Sequence, residues 1–363
     1  MRIGILYPRI SHYREEFFES LMKNHDVSIF LYESAEKSKK ENYKNSYISA
    51  NYLNTYEVFK KIRLVNILPI LKNNYDVVIL IGEMRSISVW ILLIFYRLTK
   101  TKTILWGHGI SIHSYLKESK KLNLLRVVFH SLSNHTWLYT KNEMAIWVKY
   151  IKPKRLTVLN NTINIEEILM NKEVYDINLI KKKYGIKTEV NLIFSARFTN
   201  PCRRIDLLLD LVKSIDSSKY GFIIIGDGPL KPNFKEFNNV YDFGAVYDRE
   251  VKNKLFNIAD FYFQPAWLGL SVNEALAYGK MILTFERSKS IKQCVEFSYL
   301  NNKNSFVAKD LPELIYFIEN IDTEKIKEYS LSARDYATQN LQMSHMTENA
   351  LNSLKFLSAK EGE

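Results

Sequence analysis

Cysteine is scarce in this sequence. Its 363 residues include only Cys202 and Cys294, too few for a disulfide framework or a cysteine-based metal cluster. The seven histidines never occur with His-x-x-x-His spacing, and there is no Cys-x-x-Cys pair. The sequence therefore predicts no metal site, and its cysteine content is typical of a protein of the reducing cytoplasm.

Long hydrophobic runs are also lacking. The longest, "VWILLIFY" at residues 89–96, has eight residues, whereas a membrane-spanning helix needs about 20. We predict a buried helix there. The N-terminal "MRIGILYPRI" turns polar after a few residues, which predicts a first strand and not a signal peptide. We expect a soluble chain that is at most peripheral to a membrane.

The length favours two domains, because single hydrophobic cores rarely extend beyond about 250 residues. Hydrophobic residues make up 47% and charged residues 25% of the chain, as in ordinary folded proteins. Short apolar runs rich in β-branched residues alternate with helical patterns throughout, which indicates parallel sheets covered by helices on both faces. The predicted strands are residues 2–7, 26–32, 76–82, 102–107, 135–140 and 156–160, then 191–198, 220–229, 240–246, 260–265, 280–286 and 305–308.

A polar, lysine-rich stretch up to about Lys187 separates the two series of strands. We therefore predict two doubly wound α/β domains, an N-terminal one at residues 1–165 and a C-terminal one at residues 166–363. In such sheets ligands bind beyond the carboxyl ends of the strands, so the chemistry is expected there.

The net positive charge of the chain is confined to the first half. Residues 1–165 contain 25 Lys and Arg against 12 Asp and Glu, a net charge of +13, and residues 166–363 contain 26 against 27, a net charge of −1. A basic domain attracts anions such as nucleic acid, acidic lipid headgroups or a phosphorylated substrate. A genome-wide bias toward lysine codons is the alternative explanation. The second half, however, has as many basic residues as the first and offsets them with acidic ones.

Four features of the second half follow successive predicted strands. Arg197 ends "NLIFSAR", Arg203 and Arg204 open the next helix, and "GDGP" at 226–229 ends the following strand. The fourth is "AWLGLSVNEALAYGK" at 266–280. Each has an ordinary alternative, since Gly-Asp-Gly-Pro is a common turn and the charges can be solvated surface groups.

Together these features suit a nucleotide. Gly269 permits close approach of the backbone, and a helix that begins near Leu270 and Ser271 offers unpaired N–H groups to a phosphate. Arg197 and Arg203 would add forked donors for a diphosphate. Glu274, one turn into the helix, can accept hydrogen bonds from the two hydroxyls of a ribose.

The sequence here resembles the retaining glycosyltransferases of the GT-B fold, family 4 (glycosyl transferases group 1), specifically over residues 190–310 and more loosely before them. Arg197 falls on the arginine of the family pattern, Arg203 on its lysine and Arg204 on its glycine. "GDGP" matches directly, with Gly226 and Gly228, and the later segment matches at Gly269, Leu270, Glu274, Ala275, Ala277 and Gly279. The resemblance implies two Rossmann-like domains that face each other across a cleft, the first binding the acceptor and the second the nucleotide-sugar. It also implies that the last helix packs back toward the N-terminal domain.

One position departs from the family pattern. Ala266 replaces the first of two glutamates, eight positions before Glu274, which in the family contacts the donor sugar. Backbone amides near Trp267 and Leu268, or Asn273, are the groups we expect to hold the sugar instead. Either the chain is a variant with an altered donor grip or it is an inactive member.

The first half offers fewer candidates. His108 lies between two glycines in "WGHG" at a predicted strand end, and the resemblance implies a place near the transferred sugar; a structural histidine is the alternative. Arg9, His12 and Arg14, in the loop after the first strand, are expected to bind an anionic acceptor. The basic residues Lys117, Lys120, Lys121 and Arg126, with Tyr115, are expected either to face a membrane or to form a solvated helix face.

We therefore expect a metal-independent glycosyltransferase that moves a sugar, with retention, from a nucleotide-diphosphate donor to a saccharide or polyprenyl-diphosphate-linked acceptor. Arg197, Arg203 and His108 would be catalytic, while Gly226, Gly228, Gly269, Leu270, Ser271, Glu274 and Arg204 would bind the donor. No cofactor is expected, because the nucleotide-sugar is a substrate. No nucleic acid partner is expected either. Bacterial surface polysaccharide synthesis at the inner face of the cell membrane suits the charge. A nucleotide-sugar epimerase of the same fold and a non-catalytic polyanion-binding or membrane-binding protein are the alternatives.

Overall fold

A computed structural model describes residues 1–33, 46–58 and 62–359. The chain forms two compact units. Unit 1 consists of Met1–Asn164 together with Met343–Glu363, and unit 2 consists of Ile165–Gln342. In both units short buried strands alternate with helices, which confirms the α/β class predicted from the sequence.

Unit 1 contains a parallel sheet, seven-stranded within the described residues, with the strand order β3-β2-β1-β6-β7-β8-β9. Its strands are β1 (Arg2–Tyr7), β2 (Asp26–Leu31), β3 (Asn51–Tyr52), β6 (Val77–Ile81), β7 (Lys102–Gly107), β8 (His135–Leu138) and β9 (Leu156–Val158). A separate antiparallel hairpin, β4 (Thr55–Val58) and β5 (Ile62–Val65), precedes β6. Both β3 and this hairpin were missed by the sequence analysis, since their side chains are mostly exposed or half-buried and form no continuous apolar run.

Helices cover both faces of this sheet. They are α1 (Glu15–Asn24), α2 (Leu68–Leu71), α3 (Ile87–Arg97), α4 (Tyr115–Glu118), α5 (Leu124–Leu132) and α6 (Lys141–Trp147). Helix α3 contains the longest apolar run of the sequence. The prediction of a helix there is confirmed, but only one of its faces is buried. Val89, Leu92 and Leu93 are fully buried against the sheet, whereas Ile91 and Ile94 on the opposite face are 46% and 52% exposed.

Unit 2 contains a parallel sheet with the order β12-β11-β10-β13-β14-β15, six strands within the described residues. The strands are β10 (Val190–Ser195), β11 (Tyr220–Ile225), β12 (Val240–Asp242), β13 (Phe261–Phe263), β14 (Met281–Phe285) and β15 (Ser305–Ala308). Its helices are α7 (Glu166–Met170), α8 (Ile177–Tyr184), α9 (Ile205–Ser214), α10 (Arg249–Ile258), α11 (Ser271–Ala277), α12 (Leu311–Asn320) and α13 (Thr323–Asn340). Asp248 caps α10, as its position before the helical pattern predicts, by accepting a 2.9 Å hydrogen bond from the Val251 amide.

The last helix, α14 (Met343–Ala359), belongs to unit 1, where it packs against α1 and β9. Its attachment includes a polar contact inside the core, since Trp137 Nε1 donates a 2.7 Å hydrogen bond to Ser353 Oγ. Both side chains are buried. The chain thus leaves unit 1 after Asn164 and returns to it after Gln342.

Each sheet has one place where the strand order reverses. In unit 1 the strands that follow β1 first add on one side of it, as β2 and β3, and later strands add on its other side, beginning with β6. In unit 2 the same reversal places β11 and β12 on one side of β10 and β13 on the other. Loops that leave the carboxyl ends of such neighbouring strands diverge and open a crevice, which is where open α/β sheets bind ligands. In unit 2 the two loops at this point are residues 196–204 and 264–270.

In the part of the chain that the structure describes, no helix is long and apolar enough to cross a membrane.

Candidate functional site

The loop after β10 carries three arginines in different environments. Arg197 is exposed, and Arg203, which ends a short 3-10 turn, is half-buried. Arg204 adopts a left-handed conformation (φ 54°) at the N-terminus of α9, and its guanidinium pairs with Asp206 at 2.6 Å. The structure therefore brings Arg197 and Arg203 to the crevice of unit 2, while the Arg204 charge is shared with a neighbouring carboxylate.

The Gly-Asp-Gly-Pro turn follows β11, beside this arginine loop. Its first glycine has a φ of 139°, and its amide donates a 2.7 Å hydrogen bond to the Gly244 carbonyl. A Cβ on Gly226 would overlap the carbonyl oxygen of Ala196. Gly228 has a φ of 147°, and a Cβ there would lie 2.5 Å from the Phe198 carbonyl oxygen. Both glycines are therefore required by the close approach of the two loops.

The loop after β13 is held in a strained conformation. Trp267 has a φ of 56°, a left-handed value that bulky residues rarely adopt. Gln264, which is fully buried, secures the loop, since its Nε2 donates to the carbonyls of Ala266 and Trp267 at 3.0 and 2.8 Å. The sequence analysis missed Gln264, although its place directly after the strand is a signal that it is buried at the crevice.

A second buried glutamine fastens the same loop from elsewhere in the chain. Gln293 Oε1 accepts a 3.1 Å hydrogen bond from the Leu268 amide, and the Trp267 amide donates to the Lys292 carbonyl at 2.8 Å. The amides at 267 and 268 are thus already used, so the expectation that they hold the donor sugar was wrong. By contrast, among the described residues no acceptor pairs with the amides of Gly269, Leu270 and Ser271, which stand where the chain enters α11.

The Tyr262 hydroxyl connects the loop after β13 with the end of β10, since it lies 3.3 Å from the Ser195 carbonyl oxygen. This buried hydroxyl lies 2.6 Å from Gln264 Oε1 and 2.8 Å from Ser271 Oγ. Burial raises the pKa of Tyr262; the hydrogen bond with Ser271 and the charge of Arg203 act to lower it, and the charge of Glu274 acts to raise it. The charges of an arginine from the loop after β10 and of the α11 carboxylate thus both act on this side chain.

Glu274 has a cationic partner that the sequence did not suggest. Lys252 Nζ, from α10, donates to both carboxylate oxygens at 2.6 and 2.7 Å. The two side chains are 22% and 20% exposed, so the pair is largely shielded yet reachable. Each carboxylate oxygen can accept a second hydrogen bond, and Glu274 is thus held in a fixed orientation with lone pairs left for a ligand.

Ala266 is completely buried, as is Asn273, the third group that we expected to hold the sugar. Changing Ala266 to glutamate would place a carboxylate among the packed atoms beneath the loop. We expect Ala266→Glu to lower the melting temperature and to give no gain in activity, because burying a charge costs several kcal/mol. Ala266→Ser is the matched control, and differential scanning calorimetry is the measurement. A glutamate variant that melts like the parent would contradict this prediction.

In unit 1 the loop after β1 holds its basic residues differently from one another. His12 is exposed, and Arg9 pairs with Glu33 at 3.5 Å. Arg14 is only 3% exposed, and it donates to the Thr162 carbonyl at 2.9 Å and to the Asn161 side chain. Contact between Arg14 and an acceptor stays a prediction, and it requires the side chain to leave this buried position.

His108 lies after β7 on a rigid turn. The Gly109 amide donates to Glu143 Oε1 at 3.1 Å, and Trp147 Nε1 donates to the Gly109 carbonyl at 3.0 Å. Burial, and secondarily the charges of Arg14 and Arg126, lower the pKa of His108 to about 4. The imidazole is therefore neutral near pH 7, and its buried Nδ1 makes no hydrogen bond within the described part of the chain.

Among the described residues there is no group of three His, Cys, Asp or Glu side chains placed to hold a metal ion. Metal independence of the reaction nevertheless stays a prediction. None of the expected site residues falls outside the described ranges.

Comparisons with known proteins bear on this site. Residues 189–320, which include the arginine loop, the glycine turn and α11, match the model of the family described as "Glycosyl transferases group 1". No curated protein matches the chain.

Solved structures resemble the whole chain. A glycosyltransferase from Rickettsia africae is 17% identical, with a TM-score of 0.66 and 98% of both chains covered. Anabaena Alr3699/HepE in complex with UDP is 14% identical, with a TM-score of 0.69, covering 98% of this chain and 100% of that one. A structure described as a UDP-N-acetylglucosamine 2-epimerase from Listeria monocytogenes is 11% identical, with a TM-score of 0.60, covering 100% and 97%. At these identities the likeness shows the fold, which is GT-B with two Rossmann-like domains.

Proposed function

We propose that the protein is a glycosyltransferase that binds a nucleotide-diphosphate sugar in unit 2. The observation that carries the proposal is Glu274, which Lys252 holds in a fixed orientation with lone pairs left for a ligand, one turn into the helix that begins at the crevice of unit 2. Arg197 and Arg203 follow the neighbouring strand β10, so a carboxylate for the ribose and cations for the diphosphate are presented at the same edge of the sheet. The three unpaired amides at residues 269–271 add donors for a phosphate.

In the proposed reaction the bond between the anomeric carbon of the sugar and the diphosphate oxygen breaks, and an acceptor hydroxyl forms the new bond. Negative charge accumulates on the leaving diphosphate, and Arg197, Arg203 and the amide at Gly269 stabilise it. A phosphate oxygen of the donor takes the proton of the acceptor hydroxyl on the same face, so the anomeric configuration is retained. This scheme uses no metal ion and no carboxylate base.

His108 is suited to a supporting role in unit 1. Because its pKa is lowered to about 4, the ring is neutral, so it can pair with a hydroxyl without bringing a second charge into the site. We propose that it orients a hydroxyl of the transferred sugar.

The proposed acceptor is a saccharide linked to a lipid diphosphate. The net charge of +13 on residues 1–165 complements such an anion and an anionic membrane. We accordingly place the reaction in the cytoplasm at the inner face of the cell membrane, in the synthesis of a bacterial surface polysaccharide. UDP-sugars are the first donors to try, because the Anabaena neighbour contains UDP.

Nucleotide binding tests the proposal most directly. A thermal-shift screen against UDP-, GDP-, ADP- and TDP-sugars should find one that raises the melting temperature. Glu274→Gln should then weaken binding of that nucleotide about tenfold, since a hydrogen bond to a charged acceptor contributes about 1.5–3 kcal/mol. Titration calorimetry provides the dissociation constants.

Lys252→Met is the matched control for this variant. Both substitutions abolish the Lys252–Glu274 ion pair, but only Glu274→Gln removes the negative charge and one of the two acceptor oxygens that a ribose would meet. We expect nearly unchanged nucleotide affinity in Lys252→Met. Equal losses in both variants would reduce Glu274 to a structural role, and an absence of binding by all four sugars would refute the glycosyltransferase proposal. Turnover of a bound nucleotide-sugar without any acceptor would favour the epimerase.

A further inference from the structure

One surface of unit 1 exposes many large apolar side chains. On α3 and directly after it, Ile87, Ile91, Ile94 and Leu98 are 40%, 46%, 52% and 85% exposed. Their spacing of four, three and four residues aligns them along one side of the helix. We call these four residues the apolar ridge. Since the opposite side of α3 is packed on the sheet, the helix is apolar on both faces, which is unusual for a helix that only covers a sheet.

The neighbouring helix extends this surface. Helix α5 packs beside α3, with the rings of Trp90 and Phe129 4.7 Å apart. At its N-terminal end Leu124, Leu125 and Val128 are 77%, 56% and 44% exposed. The apolar area therefore spans two adjacent helices of the same face, which exceeds what isolated surface residues account for.

The segment that contains both helices is predominantly positive. Residues 84–132 contain eight Lys and Arg and a single carboxylate, Glu118, which gives 8 − 1 = +7. That carboxylate is buried and pairs with Arg126 at 2.9 Å, so Arg126 is not part of the exposed cationic surface expected from the sequence. Arg97 and Lys100, at the end of the ridge, and Lys117, Lys120 and Lys121, before α5, are all exposed.

We propose that α3 and α5 form a docking surface for an anionic lipid bilayer. The apolar ridge enters the boundary between headgroups and acyl chains, and the surrounding cations pair with lipid phosphates. With 11 residues, α3 is about 16 Å long, far short of the roughly 30 Å hydrocarbon core, so it lies along the interface. This inference rests on the function proposed above and assigns its membrane association to named side chains.

A second copy of the chain is the main alternative occupant. Two copies packed ridge to ridge would place the two sets of cations against each other, with no exposed carboxylate in residues 84–132 to offset them. Such a pairing is opposed by like-charge repulsion, whereas an anionic bilayer is complementary to both the apolar and the charged groups. The charge therefore favours lipid.

The test is flotation of the full chain with vesicles, either of phosphatidylcholine alone or containing about a third phosphatidylglycerol, a composition that gives the negative surface potential that basic segments recognise. We expect binding to the anionic vesicles and little to the neutral ones. Ile91→Gln with Ile94→Gln should weaken it about tenfold or more, because less apolar area enters the interface. Arg97→Gln with Lys100→Gln should weaken it about tenfold at low salt and much less at 0.5 M salt, where surface charges are screened.

Matched controls use exposed residues of unit 2. Val174→Gln with Leu179→Gln removes two side chains that are 95% and 64% exposed, and Lys213→Gln with Lys303→Gln removes two exposed cations. Both controls should bind vesicles like the parent. Melting temperatures of all variants verify folding, and sedimentation velocity reports their oligomeric state.

Three outcomes would overturn the assignment: equal flotation with neutral and anionic vesicles, unchanged flotation of the ridge variant, or a dimer that the ridge variant dissociates without any vesicle binding. The last would identify a second copy as the occupant. Nucleotide binding, measured on the same samples, separates this inference from the proposed function. A parent that floats but binds no nucleotide-sugar contradicts the function alone, and a parent that binds nucleotide but does not float contradicts the docking surface alone.

Discussion

Replacing Arg203 with alanine is expected to lower the rate of sugar transfer by about 10²–10³-fold, the usual loss when one donor to a developing negative charge is removed. Arg203 is half-buried and acts electrostatically on Tyr262 at the crevice. In so shielded a place a charge acts more strongly than in water. Arg197 is exposed, so Arg197→Ala should cause a smaller loss.

Steady-state kinetics with a saturating donor measure this effect. The interaction of Arg203 with the diphosphate strengthens as the diphosphate leaves, so its loss should lower kcat more than it changes KM. Arg203→Lys should recover part of the rate, since lysine keeps the charge without the fork. Lys213→Ala, at the far end of α9, removes a cation from the same unit and should leave the rate unchanged. If neither arginine variant loses turnover, the diphosphate does not bind at this loop.

The largest effect on stability is expected from Gly226→Ala. The new methyl group would overlap the Ala196 carbonyl, and the φ of 139° is nearly exclusive to glycine. Neither backbone segment can shift easily, because the Gly226 amide is bonded to Gly244 and the Ala196 amide to Ile225. We expect a cost of about 3 kcal/mol or more, together with loss of nucleotide binding.

Gly244→Ala provides the comparison. Gly244 also has a positive φ, 63°, but no atom lies within 4 Å of the position of its Cβ. Only the conformational cost of about 1 kcal/mol should remain. Calorimetric melting temperatures of the two variants distinguish backbone strain from collision, and similar decreases in both would mean that the loops are less closely apposed than in this structure.

The sheets could be predicted from the sequence because a strand buried on both faces is a continuous apolar run, and such runs mark β1, β6, β7, β10 and β11 clearly. The hairpin of β4 and β5 could not, since its described side chains are mostly exposed or half-buried and form no continuous apolar run. The face of α3 that lacks a partner was equally invisible. An apolar helix has the same composition whether one side of it or both sides are covered.

At the site, the strand ends predicted which loops are neighbours, because parallel strands bring their carboxyl ends to one edge. The segments that carry Arg203 and Glu274 follow the neighbouring strands β10 and β13 for that reason. Lys252 and Gln293 could not be predicted, since each reaches the site through tertiary packing from an element with no motif of its own. The left-handed Trp267 was also unforeseen, because no feature of a tryptophan in sequence signals a positive φ.

The return of α14 to unit 1 has a consequence for folding during translation. Residues 165–342 emerge as one uninterrupted stretch and can complete their core before synthesis ends. Residues 1–164 emerge earlier, but two of their side chains have partners in α14. The hydrogen bond of Trp137 with Ser353 and the 3.2 Å contact of Arg14 with Met346 can form only after α14 has been translated. The unit that is translated first is thus finished only later, and we infer that unit 1 stays incomplete until α14 has left the ribosome.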